Sequence, residues 1–135
     1  MTIINLTPHE IKIVWENTRD MEDGQLYIQK PELVLPASDK PARVTQDVVC
    51  TGYISRLNYL PIYSYEFGEV VNLPEPESGT IYIVSKMVAE AVAANTNRDD
   101  VFIVAETIRD ASGRIIGCKG ISRLLSNLDR MIICE

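Results

Sequence analysis

Apolar and polar positions alternate in short runs over the first two-thirds of the chain. "TIINL" and "EIKIV" flank "TPH", where Pro8 makes a turn. "MEDGQ" is a turn carrying Gly24. "LYIQ", "ELVLP", "ARVTQDVV", "TGYISRL" and "LPIYSYEFG" follow, parted by proline and glycine. Short strands at this spacing predict a curled antiparallel sheet. The segment "NLPEPESG", with Pro74 and Pro76, reads as an extended, exposed acidic connector. "TIYIV" reads as a buried strand. The period then changes. In "SKMVAEAVAAN" the residues Val88, Ala91 and Val92 recur at helical spacing behind Ser85, a favourable N-cap. Asn95 and Asn97 end that helix. "VFIVAETI", the turn "DASG" and "RIIGC" predict a hairpin, and "ISRLLSNLDRMIICE" reads as a short helix and a terminal strand. The expected fold is α+β: a curled antiparallel sheet core with one or two helices in the C-terminal half. Residues 1–135 form one domain on this reading, with no internal repeats.

Composition narrows the function. Hydrophobic residues make up 46 % and charged residues 24 %, which is usual for a soluble globular protein. No apolar run reaches the roughly 18–20 residues that span a bilayer. "MTIINLTPHE" lacks a basic start and a long apolar stretch, so it reads as a first strand and not as a signal peptide. Cys50, Cys118 and Cys134 are odd in number and lack CxxC spacing. That disfavours a zinc site and a secreted disulfide scaffold, and it favours a reducing cytosol. With 19 acids, 13 bases and a formal net charge of −6, the surface is unsuited to wrapping long nucleic acid.

The charge is nonetheless uneven. "TIRDASGRIIGCKGISR" holds Arg109, Arg114, Lys119 and Arg123 against Asp110 alone. If Asp110 to Gly113 form the hairpin loop, Arg109 and Arg114 face each other, Thr107 faces Ile116 and Ala105 faces Cys118. Opposed cations destabilise a sheet unless an anion lies between them. A phosphate there would convert repulsion into charge-assisted hydrogen bonds. The other reading is a solvated turn in which Asp110 offsets part of the charge, and a one-residue slip in register would separate the arginines.

Other residue patterns carry less. His9 is the one histidine, placed in a turn, and nothing sets it beside a cysteine for nucleophilic catalysis. "GRIIGCKG" does not match a phosphate loop. Asp99 and Asp100 are either a metal-binding pair or a turn paired with Arg98. Met87, one turn above Ala91, can line a pocket for a flat base or pack in a core or interface. Asn97 can read the polar edge of a base or cap the helix. Arginines, an amide and apolar surface make a binding site and lack a nucleophile with its base. No cofactor and no metal are expected.

"INLTPHEI", "EFGEVVNLPEPESGTIYIVS", "NRDD" and "GRIIGC" resemble a family of small proteins of tailed phages and prophages, the first Thoeris anti-defence family. The likeness runs over almost the whole chain. It implies a non-enzymatic sponge that sequesters a cyclic ADP-ribose isomer made by host TIR-domain enzymes, with cyclic oligonucleotides at a second site in some members. It implies action in the host bacterial cytoplasm and a homo-oligomer, dimer or higher, with ligand near the subunit interface. Matching its pocket onto this chain gives Met87, Asn97, Arg114 and Arg130, with Arg109 and Arg123 as neighbours. Met87 replaces an expected aromatic side chain, and Tyr82 on the preceding strand is the substitute. A phosphodiesterase acting on the same ligand, or a phage structural or regulatory module, are the alternatives.

Overall fold

The computed structural model describes residues 1–20 and 26–124. Its strands are β1 (Thr2–Asn5), β2 (Ile11–Val14), β3 (Asn17–Asp20), β4 (Leu26–Gln29), β5 (Glu32–Leu35), β6 (Arg43–Ile54), β7 (Leu60–Val71), β8 (Thr80–Ile83), β9 (Val101–Arg109) and β10 (Ile115–Ser122). One helix, α1 (Lys86–Asn95), links β8 to β9. The fold is α+β, with a curled, nearly closed sheet and its helix in the C-terminal half. The turn around Gly24, the second helix and the terminal strand expected from the sequence lie outside the described residues, apart from Ile121 and Ser122, which end β10, and Arg123 and Leu124, which follow it.

The main sheet has the order β1-β8-β9-β10-β2-β5. It is mixed, not antiparallel as expected. β1 runs parallel to β8, β8 to β9 and β10 to β2. The β8–α1–β9 crossover explains one of these pairings, because a helix carries the chain back to the starting edge. The β1–β8 pairing joins Thr2 to Thr80 across most of the chain.

Side-chain alternation sorts β8 into two cores. Tyr82 and Val84 join Leu6, Val88, Ala89, Val92 and Val101 on the helix side. Ile83 points the other way, into a cluster with Ile11, Ile13 and Cys118. Full burial of side chains such as Ile83 and Val88 contributes about 1.5–3 kcal/mol each. The helix forms where its pattern predicts. The Ser85 hydroxyl accepts from the Val88 N–H at 3.4 Å. At the other end the Asn95 amide donates to the Ala91 carbonyl at 2.9 Å, and the Thr96 hydroxyl donates to the Val92 carbonyl at 2.8 Å. These two residues satisfy carbonyls that the helix leaves open.

β6 and β7 leave this body as a separate two-stranded ribbon. The sequence divides "ARVTQDVV" from "TGYISRL", but the strand runs through Gly52 for 12 residues. Bulges after Val44 and Cys50 absorb the irregularity. Asn58 and Tyr59 turn the tip with positive φ.

Candidate functional site

The loop after β1 is built around Asn5. Its side-chain amide donates to the carbonyls of His9 (2.8 Å) and Pro36 (2.9 Å). Its Oδ1 accepts from the Thr7 N–H (2.9 Å) and the Thr7 hydroxyl (2.7 Å). Leu6 then bridges two elements: its N–H donates to Ile83, and its carbonyl accepts from Ala42, at 2.8 and 2.9 Å. Thr7 and Arg43, the residues that follow, are thereby carried to the start of α1. The result is a cleft of about 270 Å³ lined by Thr7, Pro8, Arg43, Ser85 and Met87, floored by Leu6, Ala42 and Val88.

This cleft combines three kinds of chemistry. Arg43 is an exposed cation at its rim. The amino end of α1 adds unpaired backbone N–H groups and the positive end of a helix dipole. Met87 is 43 % exposed and supplies a polarisable apolar surface. A second cleft, of about 370 Å³, is lined by Met1, Glu77, Gly79, Asp99 and Asp100. Its acidic rim suits a cation or a hydrogen-bond donor better than a phosphate.

The remaining residues expected at the site are spread over the fold. Asn97 is exposed beyond the far end of α1. A rise of 1.5 Å per residue puts it about 15 Å from Met87 along the helix axis. Arg123 follows β10 and donates to the Asp99 carbonyl at 3.3 Å, so it neighbours Asn97. Arg114 precedes β10, and at ~3.3 Å per residue it is roughly 30 Å from Arg123. Arg130 lies outside the described residues.

Tyr82 is 2 % exposed. Its hydroxyl reaches the Glu75 carbonyl at 3.5 Å, and the Arg98 guanidinium stands 5.8 Å from its ring centre. It is a core residue with no free face for a base.

The hairpin tip corrects the expected register. The Asp110 N–H donates to the Arg114 carbonyl at 2.9 Å, and the Gly113 N–H donates to the Asp110 carbonyl at 3.0 Å. Gly113 has φ +87°. This is a three-residue loop ending in a left-handed residue, a common hairpin solution. Arg109 therefore pairs with Ile115, and a bulge between Ile115 and Gly117 shifts the register once more, so that Thr107 pairs with Cys118 and Ala105 with Gly120. Arg109 and Arg114 occupy successive cross-strand positions, which alternate in face. Four local hydrogen bonds hold the turn in this form. Asp110 Oδ1 accepts from the N–H groups of Ser112 (2.9 Å) and Arg114 (3.0 Å) and from the Ser112 hydroxyl (2.7 Å). The Arg109 side chain donates to the Gly113 carbonyl at 2.8 Å. The Ser112 hydroxyl and the turn's backbone donors hold the Asp110 carboxyl below the usual carboxylate range.

Arg98 pairs with Asp100, one of the two expected partners. Its Nε donates to Oδ1 at 3.0 Å and its Nη2 to Oδ2 at 2.8 Å. Nη1 also holds the Pro74 carbonyl at 2.8 Å. The hydrogen-bonded guanidinium draws the Asp100 carboxyl below its ordinary range, against the opposing effect of burial. Among the described residues, no group of three His, Cys, Asp or Glu side chains is placed to hold a metal ion. Cys118 is buried, and burial pushes its thiol up. No helix among the described residues is long and apolar enough to cross a membrane.

Arg43 is the cleft residue that sequence reasoning missed. "ARVTQDVV" reads only as a strand, and nothing in it ties residue 43 to the start of α1. The nearest signal is "INLTPHEI", whose Leu6, Thr7 and Pro8 line the same cleft as Met87. No protein family, curated protein or solved structure matches the chain. The likeness to the anti-Thoeris family rests on its quoted motifs alone.

Proposed function

We propose that this protein binds a small cyclic adenine nucleotide with a pyrophosphate, a cyclic ADP-ribose isomer, and sequesters it without cutting it. It acts in the host bacterial cytoplasm as an anti-defence sponge, as the motif likeness implies. The cleft at the start of α1 is the observation that carries the reading. There the cation of Arg43, the amino end of a helix and the apolar side chain of Met87 meet a loop made from the family-like motif. A phosphate belongs against the helix end and Arg43, and the base belongs against Met87.

At about 270 Å³ the cleft is smaller than the ~300–1,000 Å³ usual for enclosed ligand sites. It holds part of such a ligand, so on this reading a second chain covers the remainder and the working unit is a homo-oligomer. Arg109, Arg114 and Arg123, which do not line the cleft in one chain, are the groups a second chain would bring, with Asn97 beside Arg123 and with Arg130 as the motif likeness implies. The test is calorimetric titration with cyclic ADP-ribose isomers, followed by mass spectrometry of what heating releases. Tight binding and intact release support a sponge. Conversion of ligand to a linear product supports the phosphodiesterase alternative.

The exposed β6–β7 ribbon favours a second reading, an assembly module of a phage particle. Failure to bind any cyclic nucleotide, with the protein folded, would select that reading.

A further inference from the structure

Both faces of the β6–β7 ribbon are exposed towards its tip, and one of them is aromatic. On β7 the alternate residues Pro61, Tyr63 and Tyr65 point to one side. Their cross-strand partners Tyr53, Cys50 and Val48 share that side. Tyr53, Tyr63 and Tyr65 are exposed by 64, 56 and 65 %. Residues 48–65 contain a single charged residue, Arg56, in the turn at the tip. In a chain that is 24 % charged, this is an aromatic, uncharged surface on an outlying arm.

Surface area gives the scale. A compact monomer of this mass exposes about 7,100 Å², whereas the chain exposes 10205 Å². The 16 residues outside the described set contribute at most about 2,600 Å², the area of fully unfolded chain. Allowing for them in full leaves the rest about 1,100 Å² above its own compact value. One side of a standard interface is about 800 Å².

From these observations we infer that the tyrosine face of the ribbon packs against the same face of a second copy of this chain. Three properties select a copy of itself. The chain carries a net charge of −6, so two copies repel except where charge is absent, and residues 48–65 are that place. An uncharged face is self-complementary about a two-fold axis, as an isologous contact requires. The ribbon's edges are poor partners, because Pro61 lacks an N–H and the bulges after Val44 and Cys50 interrupt the ladder. That leaves the face, and tyrosine is a residue enriched at interface centres. The proposed function already calls for a homo-oligomer; this inference adds the face that joins two copies, uses none of the cleft residues and is tested without ligand.

Analytical ultracentrifugation of the full chain, without nucleotide, tests it. The native chain should sediment at twice the monomer mass at ~50 μM. Tyr63→Glu with Tyr65→Glu should raise the dimer dissociation constant at least ~30-fold, the effect of losing a central contact residue. Ser64→Glu, on the opposite face, should leave the dimer intact. Circular dichroism checks the fold of each variant. If the double variant misfolds, Tyr53→Lys replaces it with the same expectation. Cys50 gives a second readout in a Cys134→Ser background: its thiol should react slowly in the dimer and at least tenfold faster in the monomeric variant. A native chain that is monomeric at ~50 μM overturns the inference. So does a folded double variant that keeps its mass, or a Cys50 that reacts equally fast in both.

Discussion

Replacing Arg98 with alanine should cost about 3 kcal/mol of stability at pH 7, as follows from its surroundings. The guanidinium makes a two-pronged contact with Asp100 and a third hydrogen bond to the Pro74 carbonyl. The two side chains are only 16 and 11 % exposed. Removing one member of a fully buried pair costs about 3–5 kcal/mol, because the other charge is left without a partner. The residual exposure lets water reach the carboxylate and places this case at the low end. For a chain of this length the melting temperature should fall by about 10–15 °C. The pH dependence makes the cause identifiable. The folded Asp100 carboxyl sits below its ordinary range because Arg98 hydrogen-bonds it. The pair's contribution is therefore present above the unfolded value of ~3.9 and is lost as pH falls through the folded value. The native protein loses this term in acid, and Arg98→Ala has none to lose. The gap between the two should be full at pH 7 and close progressively below about pH 4. Arg98→Lys should recover part of it, since lysine keeps the charge and loses the fork. Urea titration at several pH values measures all three proteins. A gap under ~1 kcal/mol at pH 7, or one that persists unchanged in acid, would refute the reasoning.

At the proposed cleft, Arg43→Ala should weaken cyclic nucleotide binding about tenfold, or ~1.4 kcal/mol, with stability unchanged within ~0.5 kcal/mol, read by calorimetry and thermal melts. Met87→Asp puts an anion against the proposed base and phosphate, and should abolish measurable binding while the half-exposed position keeps the helix folded. Arg114→Ala should leave stability within ~0.5 kcal/mol, since the turn is held by Asp110 and by the Arg114 backbone, and should reduce affinity only if a second chain presents that arginine to the ligand. Gly113→Ala forces a left-handed conformation on a residue with a Cβ and should cost about 1–2 kcal/mol by urea titration.

Most strands were legible because each is a short alternating run between turn residues, and α1 was legible because Val88, Ala91 and Val92 repeat at helical spacing behind Ser85. Pairing partners were not. The parallel contact of Thr2 with Thr80 depends on the whole intervening chain, and no local pattern encodes it. The hairpin register slipped by one residue at the tip because Gly113 took a left-handed turn and Asp110 spent its oxygen on backbone donors, and by one more beyond the bulge between Ile115 and Gly117. Tyr82 entered only through the motif likeness, as a substitute for the aromatic side chain expected at Met87, while its strand "TIYIV" reads as buried. The packing of α1 and the hold of Arg98 on Pro74 close it off. The strand through Gly52 was hidden because glycine usually punctuates, whereas here a bulge takes it up. Met87 was legible as a helix residue able to line a pocket, but its neighbour Arg43 reaches it only through the Leu6 bridge.

The most direct measurement is the fate of a cyclic ADP-ribose isomer held with this protein. A tenfold excess of ligand over chains is incubated for hours, and the free, bound and linear forms are counted by mass spectrometry after heating. Sequestration predicts a bound fraction that saturates at a fixed ratio to the protein, is released intact, and does not change with time. Loss of the excess ligand with time, or no bound ligand at micromolar concentrations, would contradict it.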